Sequence, residues 1–288
     1  MTDFGMVDDA VGLCKGQMLR VCPDATIVDI CHNTTPWDVR EGARLLVDLP
    51  YFYPEWTVVG AVVYPETGTE VGTLAVRVPS GHIYVAPNNG LLTAVIKDHG
   101  YVEAYAATNP EITPQHPEPT FYGRDLVCIQ AAHIASGFPL AAAGPRLTDE
   151  EVVRFEVTQP RTDENGRITG ILTGIDRPFG NIWTNLGAEL LEQVGCAYGS
   201  ELRITLDEAL IFDLPLTETF GDRPLGAPVA YLNSRGYFSL GRNRADLAER
   251  YHLTAGMTVT VEANPVLASR DASRDGALSA YGNTPGAS

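Results

Sequence analysis

The chain contains 288 residues, of which 44% are hydrophobic and 19% are charged. It carries 20 Lys and Arg against 36 Asp and Glu, a formal net charge of −16 with the six His neutral. This length and apolar fraction fit one large or two medium folded domains. The acidic balance argues against nonspecific binding to nucleic acid or to anionic membranes, because both need clustered Lys and Arg.

The sequence lacks the usual signs of a membrane or secreted protein. No run of about 18 apolar residues is present, and the acidic first residues, MTDFGMVDD, do not resemble a secretory signal. Five cysteines occur singly, without a C-x-x-C pair. Such spacing is typical of small buried residues in a reducing compartment. We therefore expect a cytoplasmic protein without a metal site.

Residues 1–147 alternate between helical and strand-like patterns. Helices are predicted at residues 9–21, 35–49, 90–99 and 124–136, and strands at residues 25–31, 58–64, 73–78, 83–85 and 101–106. The sequence Pro79-Ser80-Gly81 predicts a tight turn between two of these strands. The alternation predicts an α/β sandwich domain with a parallel-rich sheet, and ligands at the carboxyl ends of its strands.

The pattern changes after residue 147. Residues 148–160 begin with a polar stretch and are predicted to form a linker. Residues 161–264 contain short strands interrupted by Gly, Pro and Asp, which predicts a smaller all-β barrel domain. Residues 265–288 are rich in Ser, Ala and Gly and lack periodicity, so we expect a disordered tail.

Polar and aromatic residues cluster at the ends of the predicted elements. Seven such clusters occur, at residues 2–5, 32–38, 64–69, 86–90, 119–125, 176–185 and 231–243. Each one alone is compatible with an ordinary turn. There is no G-x-G-x-x-G and no P-loop, so a nucleotide site would have to be built differently.

Five segments that overlap these clusters carry a family resemblance: TPWDVREGAR, APNNGLLT, EPTFYGRD, RPFGNIWTN and YLNSRGY. From Met1 to about Glu262 the chain resembles the S-adenosylmethionine-dependent nucleophilic halogenases (chlorinases and fluorinases) and the related S-adenosylmethionine hydroxide adenosyltransferases. The resemblance implies an α/β domain followed by a β-barrel. It also implies a homotrimer or a dimer of trimers, with active sites at subunit interfaces, and no cofactor beyond S-adenosylmethionine and a halide ion.

Three positions separate the halogenases from the hydroxide enzymes. The hydroxide enzymes carry Asp, Arg and His where this chain has Tyr64, Val71 and Tyr122. Without these groups there is neither a base nor a cation to prepare hydroxide. The two tyrosines are similar to those of the halogenases, so the resemblance implies halogenation.

The sequence leaves the choice of halide open. Like the chlorinases, the chain has Gly123 and a short link at residues 79–81, where fluorinases have Ser and an inserted loop. Unlike the chlorinases, it has Val62 in place of a Tyr. Fluoride is strongly hydrated and needs more replacement donors than chloride. We therefore expect chlorination of S-adenosylmethionine at C5′, with fluorination as the alternative. Hydrolysis to adenosine and methionine, or ligand binding without catalysis, are further alternatives.

The resemblance also implies roles for the residues around the halide. The Thr67 hydroxyl and the Gly123 N–H are expected to bind the anion. The rings of Tyr64, Phe121 and Tyr122 are expected to wall the pocket and exclude water.

Further residues are expected to bind the rest of the ligand. Asp3 corresponds to the ribose-binding carboxylate of the family, and Trp37 is expected to pack on the halide side. Asp176 is expected to bind the methionine ammonium, while Ser234 and Arg235 bind its carboxylate.

The adenine and sulfonium are expected to lie near the other C-terminal clusters. The candidates are Phe179, Asn181, Trp183, Tyr231, Arg242 and Asn243. For Asn181, Arg242 and Asn243 the alternative is that they only cap turns.

One departure from the family concerns the start of the chain. Family members have further apolar-rich residues before the match to Thr2-Asp3, which form the first strand of the sheet. We therefore expect the natural chain to begin upstream of Met1.

Overall fold

The computed structural model describes residues 1–264; the predicted disordered tail, residues 265–288, lies outside the described residues. The chain divides into two compact units, Met1–Glu156 and a second unit that begins at Val157. The expected fold, an α/β domain followed by a β-barrel, is confirmed. In the described part of the chain, no helix is long and apolar enough to cross a membrane.

The first unit contains five α-helices. They are α1 (Ala10–Val21), α2 (Val39–Leu46), α3 (Leu49–Phe52), α4 (Thr93–His99) and α5 (Ile129–Ala135). A π-helix, Gly123–Cys128, leads directly into α5. Helix α2 begins later than predicted, because Trp37 has a positive φ of 67° that no helix accommodates. Asp38 therefore caps α2, its Oδ1 accepting the N–H of Glu41 at 2.9 Å.

The sheet of the first unit is mixed, which corrects the parallel-rich sheet expected from the sequence. Its strands are β1 (Val58–Gly60), β2 (Thr73–Arg77), β3 (Ile83–Pro87) and β4 (Glu103–Ala106), in the order β1-β3-β2-β4. Strand β1 is parallel to β3, but β2 is antiparallel to both β3 and β4. The reversal comes from the predicted tight turn, where Gly81 has a φ of 85°.

Helices cover both faces of this sheet. Alternate residues of β2 and β3 point to opposite sides, so Leu74 and Tyr84 pack with Leu46 of α2. On the other side, Ala75 and Val85 pack with residues of the π-helix and α5. Thr2 adds a parallel bridge to Val62, just beyond β1. This arrangement places the segments that follow β1 and precede the π-helix at one edge of the sheet.

The first part of the predicted linker packs on the first unit. Val152 is buried in the core of that unit. The Asn88 side chain donates to the Glu151 carbonyl at 2.8 Å and accepts the N–H of Val153 at 2.9 Å. These backbone contacts tie residues 148–156 to the α/β unit, so the boundary between the units falls after Glu156.

The second unit is built on a closed barrel of seven strands. They are β6 (Ile168–Asp176), β7 (Asn181–Gly187), β8 (Glu201–Leu206), β9 (Leu210–Thr217), β10 (Pro228–Leu232), β11 (Tyr237–Arg242) and β12 (Thr258–Ala263). Strand β12 pairs with both β8 and β6, which closes the barrel. The short strand β5 (Arg161–Thr162) lies at the edge of β6. Helices α6 (Ala188–Gln193) and α7 (Leu247–Tyr251) pack against the barrel core.

Candidate active site

In the first unit, the loop after β1 and the segment before the π-helix are held together by one hydroxyl. Thr67 Oγ1 accepts the N–H of Tyr122 at 3.1 Å and donates to the Pro119 carbonyl at 3.4 Å. Gly68 (φ 81°) lies against the same carbonyl, since a Cβ there would be 2.7 Å from Pro119 O. The structure therefore brings the predicted halide donor Thr67 and the predicted wall residue Tyr122 into direct contact.

The three positions that distinguish the halogenases from the hydroxide enzymes form one cluster. The Tyr64 hydroxyl donates to the Val71 carbonyl, and the rings of Tyr64 and Tyr122 lie 6.0 Å apart. All three side chains pack in the same apolar cluster. Burial, together with the nearby Tyr122 and Glu66, raises the pKa of Tyr64 to about 12. Tyr64 is therefore a neutral phenol at physiological pH, with its proton already donated to the backbone.

Gly123 lies in a confined apolar position. A Cβ at Gly123 would be 2.7 Å from Val62 Cγ1 and 2.9 Å from Phe4 Cζ. Phe4 also contacts Phe121, with ring centroids 5.3 Å apart in an edge-on arrangement. Val62 and Phe4 thus fill the space that a side chain at position 123 would need, a feature that sequence reasoning missed because it joins distant segments.

A charged pair supports the segment that carries Phe121. The Arg124 guanidinium lies 4.7 Å from the centre of the Phe121 ring and forms two hydrogen bonds with Asp125, at 2.6 and 2.8 Å. These bonds lower the pKa of Asp125. Asp125 Oδ2 also accepts the N–H of Glu118 at 2.9 Å. The pair therefore connects the two ends of the residue 118–125 segment.

Asp3 and Trp37, separated in sequence, meet in the structure. Asp3 Oδ2 accepts the backbone N–H of Trp37 at 2.9 Å. Two backbone hydrogen bonds join the same segments, from Thr2 N–H to Cys31 O and from Gly5 N–H to His32 O. The Trp37 ring itself is largely exposed, at 74%, which leaves it accessible to a ligand.

In the second unit, the turn between β6 and β7 carries a second group of candidate residues. Asn181 Nδ2 donates to Asp176 Oδ2 at 3.1 Å, and both side chains lie at the strand ends. Gly180 (φ 71°) is required here, because a Cβ would overlap the carboxylate of Asp246. Phe179 at the tip of the turn is 65% exposed. The turn thus presents one carboxylate and one aromatic ring.

Three predicted residues of the barrel form an aromatic and cationic cluster. The Arg235 guanidinium lies 4.6 Å from the centre of the Trp183 ring. Burial and the nearby Asp176 raise the pKa of Tyr231. Phe220, which sequence reasoning missed, lies 4.7 Å from the Tyr231 ring. Its position in a short 3₁₀ turn provided no sequence signal.

Asn233 shapes the turn that carries Ser234 and Arg235. Its Oδ1 accepts the N–H groups of Arg235 and Tyr237, at 2.9 and 3.2 Å. Its Nδ2 donates to Ser239 Oγ at 3.0 Å. The turn between β10 and β11 is therefore preorganised by a buried amide.

Arg242 and Asn243 hold a neighbouring loop. Arg242 Nε donates to Gly226 O at 2.9 Å, and Asn243 Nδ2 donates to Arg223 O at 2.7 Å. Asn181 is buried, and its side chain lies against Gly241, where a Cβ would be 2.3 Å from Asn181 Oδ1. The side chains of these three residues thus have hydrogen-bonding or packing partners within the second unit.

Comparison with known proteins identifies the family. The models of the SAM hydroxide adenosyltransferase N-terminal and C-terminal domains match residues 1–144 and 170–260, where SAM is S-adenosylmethionine. A fluorinase of Nocardia brasiliensis is 50% identical over 285 residues, covering 91% of this chain and 95% of the relative. An (R)-S-adenosyl-L-methionine hydrolase of Salinispora arenicola is 33% identical over 265 residues, covering 91% and 96%.

A solved structure agrees with these matches. An uncharacterized conserved protein from Thermotoga maritima superposes with a TM-score of 0.85 at 28% identity, covering 90% of this chain and 97% of that protein. Both family domains, in the same order, thus account for the two units of the fold. The chain belongs to the SAM hydroxide adenosyltransferase family, whose members are enzymes that cleave SAM.

Proposed function

We propose that this enzyme is a fluorinase, which joins fluoride to C5′ of SAM and releases L-methionine and 5′-fluoro-5′-deoxyadenosine. The observation that carries this proposal is the cluster of Tyr64, Val71 and Tyr122. It offers a hydroxide nucleophile no carboxylate, imidazole or cation, since its ionisable side chains are the two phenols, and the pKa of Tyr64 is raised. A fluorinase relative at 50% identity, against a hydrolase at 33%, supports the same conclusion.

Fluorination replaces chlorination as the main hypothesis. The expectation of chlorination rested on Gly123 and on the short turn at residues 79–81, and the relatives favour fluoride more strongly. Chloride is the second candidate nucleophile, because Val62 and Phe4 leave no room for a hydroxyl donor at position 123. A pocket with few donors suits the less strongly hydrated anion.

The reaction we propose is a single in-line displacement. The halide forms a bond to C5′ as the bond from C5′ to the sulfonium sulfur breaks, and the electron pair leaves with methionine as a neutral thioether. No general acid is needed. Catalysis then consists of removing water from the halide and aligning it with the breaking bond.

The first unit supplies the halide and ribose contacts in this proposal. The Thr67 hydroxyl is free to turn from its long 3.4 Å bond with Pro119 toward the anion. The Gly123 N–H is the second donor, and Tyr64, Phe121 and Tyr122 exclude water. Asp3 accepts hydrogen bonds from the ribose hydroxyls, and Trp37 packs beside the halide.

The second unit supplies the contacts to methionine and adenine. Asp176 binds the ammonium, and the turn at Ser234 and Arg235 binds the carboxylate. The aromatic residues Phe179 and Trp183 border the adenine or the sulfonium, and Phe220 is added to them because of its contact with Tyr231. The remaining contacts of this unit to the substrate come from Tyr231, Asn181, Arg242 and Asn243.

The charge of the chain suggests an order of binding. A net charge of −16 attracts the cationic sulfonium of SAM and repels a halide. We therefore propose that SAM binds before or together with the halide. The proposal includes a homotrimer in which a neighbouring subunit completes each site, and sedimentation velocity tests this assembly.

Product chromatography tests the proposed reaction. The protein is incubated with SAM in a sulfate buffer, and in the same buffer with fluoride, chloride or bromide at matched concentrations. Halide-dependent formation of 5′-fluoro-5′-deoxyadenosine supports a fluorinase, and a faster chloride reaction supports the second candidate. Adenosine formed at full rate without halide would show a hydrolase instead.

A further inference from the structure

The segment APNNG, residues 86–90, has no contact role in the proposed displacement, yet it supports the loop that would hold the halide. We name residues 64–69 the halide loop. Asn89 Nδ2 donates to the Val63 carbonyl at 3.0 Å, immediately before this loop, and to Glu66 Oε2 at 2.9 Å, within it. Its Oδ1 accepts the N–H of Leu91 at 3.2 Å. The Asn89 side chain is therefore oriented by the Leu91 N–H of its own segment. Its amide nitrogen bonds to the start of the halide loop and to a side chain within it.

The other contacts of the halide loop lie within it or reach the segment before the π-helix, where Thr67 Oγ1 accepts the N–H of Tyr122 at 3.1 Å. Thr67 N–H donates to Tyr64 O at 3.1 Å, and Thr69 Oγ1 donates to Glu66 O at 2.7 Å. The bond from Thr67 Oγ1 to Pro119 is long, at 3.4 Å. Of these contacts, only those of Asn89 anchor a side chain of the loop to the sheet edge after β3. The orientation of Thr67 thus depends on its contact with Tyr122 and on the anchor that Asn89 provides for the loop.

Glu66 gives this anchor an electrostatic role. Its carboxylate lies in a loop that would bind an anion, and its charge is felt at the Tyr64 hydroxyl. A carboxylate that moved freely would repel the halide. The hydrogen bond to Asn89 holds it toward the segment after β3.

We propose that Asn89, through Glu66, is a positioning element that sets the affinity of the halide loop for its anion. This proposal rests on the proposed function, because the loop matters to catalysis only if a halide binds there. In this proposal Asn89 does not contact the substrate, and it acts through the orientation of residues 64–69.

The test compares Asn89→Asp, Glu66→Gln and the double variant N89D/E66Q. Asn89→Asp places two carboxylates side by side and removes both donors to the loop. In the double variant the glutamine amide donates to the new aspartate, which restores the bond with exchanged roles. The matched control is Asn88→Asp, an equal change in the neighbouring residue, whose side chain bonds to Glu151 and Val153 instead.

The readouts are KM for fluoride at saturating SAM, Kd for SAM, and amide hydrogen exchange of residues 64–69. Asn89→Asp is expected to raise the fluoride KM about tenfold or more, which corresponds to the loss of one to two hydrogen bonds. Kd for SAM should stay within about twofold. The double variant should recover most of the loss, and Asn88→Asp should leave the fluoride KM unchanged.

Several results would overturn the proposal. They are an unchanged fluoride KM in Asn89→Asp, an equal loss of SAM affinity, or no recovery in the double variant. A comparable loss in Glu66→Gln alone would also contradict it, because glutamine keeps a carbonyl acceptor for Asn89. If the wild type turns over no halide, the proposed function fails separately. Faster exchange of residues 64–69 in Asn89→Asp, reversed in the double variant, then still supports the anchor, and equal exchange rejects it.

Discussion

The backbone N–H of Trp37 donates to the Asp3 carboxylate at 2.9 Å, and Trp37 has a φ of 67°. A bulky residue in the left-handed region costs of order 1–3 kcal/mol, and it persists only where its surroundings hold it there. Asp3 supplies such a restraint. Asp3, which is proposed to bind the ribose, therefore also orients Trp37, which is proposed to pack beside the halide.

Replacing Trp37 by glycine separates the backbone strain from the role of the ring. Glycine adopts this φ without strain, which stabilises the folded state. Its greater conformational freedom stabilises the unfolded chain by about 1 kcal/mol. Because the first effect offsets the second, the free energy of unfolding of Trp37→Gly should not fall. kcat/KM for SAM should fall about tenfold or more, because the exposed ring is lost from the ligand side. Chemical denaturation and steady-state kinetics measure the two effects.

The control is Trp56→Gly, since Trp56 has the same φ of 67° and lies against Gly81 in the turn between β2 and β3. Its kcat/KM should match that of the wild type. Equal turnover of Trp37→Gly and wild type would contradict the role of the Trp37 ring.

The variant Gly123→Ser tests whether a hydroxyl donor can be added to the proposed halide site without a second substitution that makes space for it. In Gly123→Ser the new Cβ meets Val62 and Phe4 at less than 3.0 Å, so overpacking should lower the free energy of unfolding by about 1–3 kcal/mol. Fluoride use should not improve. The double variant V62A/G123S removes the nearer contact, so that a shift of the Phe4 ring can accommodate the serine, and it should raise kcat/KM for fluoride relative to chloride. If Gly123→Ser alone is stable and uses fluoride better than the wild type, then Phe4 and Val62 do not restrict the side chain at position 123.

The raised pKa of Tyr64 predicts a loss of stability at alkaline pH. The folded protein holds this proton more tightly than the unfolded chain, because the pKa rises from 10 to about 12 on folding. This contribution is fully present below pH 10 and is lost as pH rises from 10 to 12. Tyr64→Phe should therefore reduce the decline in unfolding free energy across that range, by up to about 3 kcal/mol. Urea denaturation at several pH values measures it; a decline of equal size in the variant would reject the assignment.

Arg235 is expected to affect binding more than chemistry. Its guanidinium lies over Trp183, at the turn proposed to bind the methionine carboxylate, which is remote from the reacting C5′. Loss of a charged hydrogen bond in Arg235→Gln should raise KM for SAM about 10- to 100-fold, with kcat nearly unchanged. The control is Arg250→Gln, whose guanidinium lies 5.9 Å from the Tyr251 ring in the same unit. A lower kcat at unchanged KM would place Arg235 at the reaction centre instead.

Local signals in the sequence predicted much of the fold. Helix α1, strands β1 to β4 and the tight turn at residues 79–81 follow from apolar periodicity and from Pro and Gly. The strand predicted at residues 25–31 was wrong: the segment is β-branched and apolar but forms no strand in the structure. The start of α2 did not follow, because the conformation of Trp37 depends on a contact with Asp3, 34 residues away. The parallel-rich sheet was wrong for a related reason: periodicity marks strands but does not determine their neighbours.

The family and the order of the two units could be predicted from the amino-acid sequence alone, because both depend on residues that stand together in short segments. How these segments constrain one another is visible only in the folded chain. The fold places Tyr64, Val71 and Tyr122 in one cluster, closes the space beside Gly123 with Val62 and Phe4, and links Asn89 to Glu66. Those relationships join residues far apart along the chain, and they form only when the sheet brings its strand ends together.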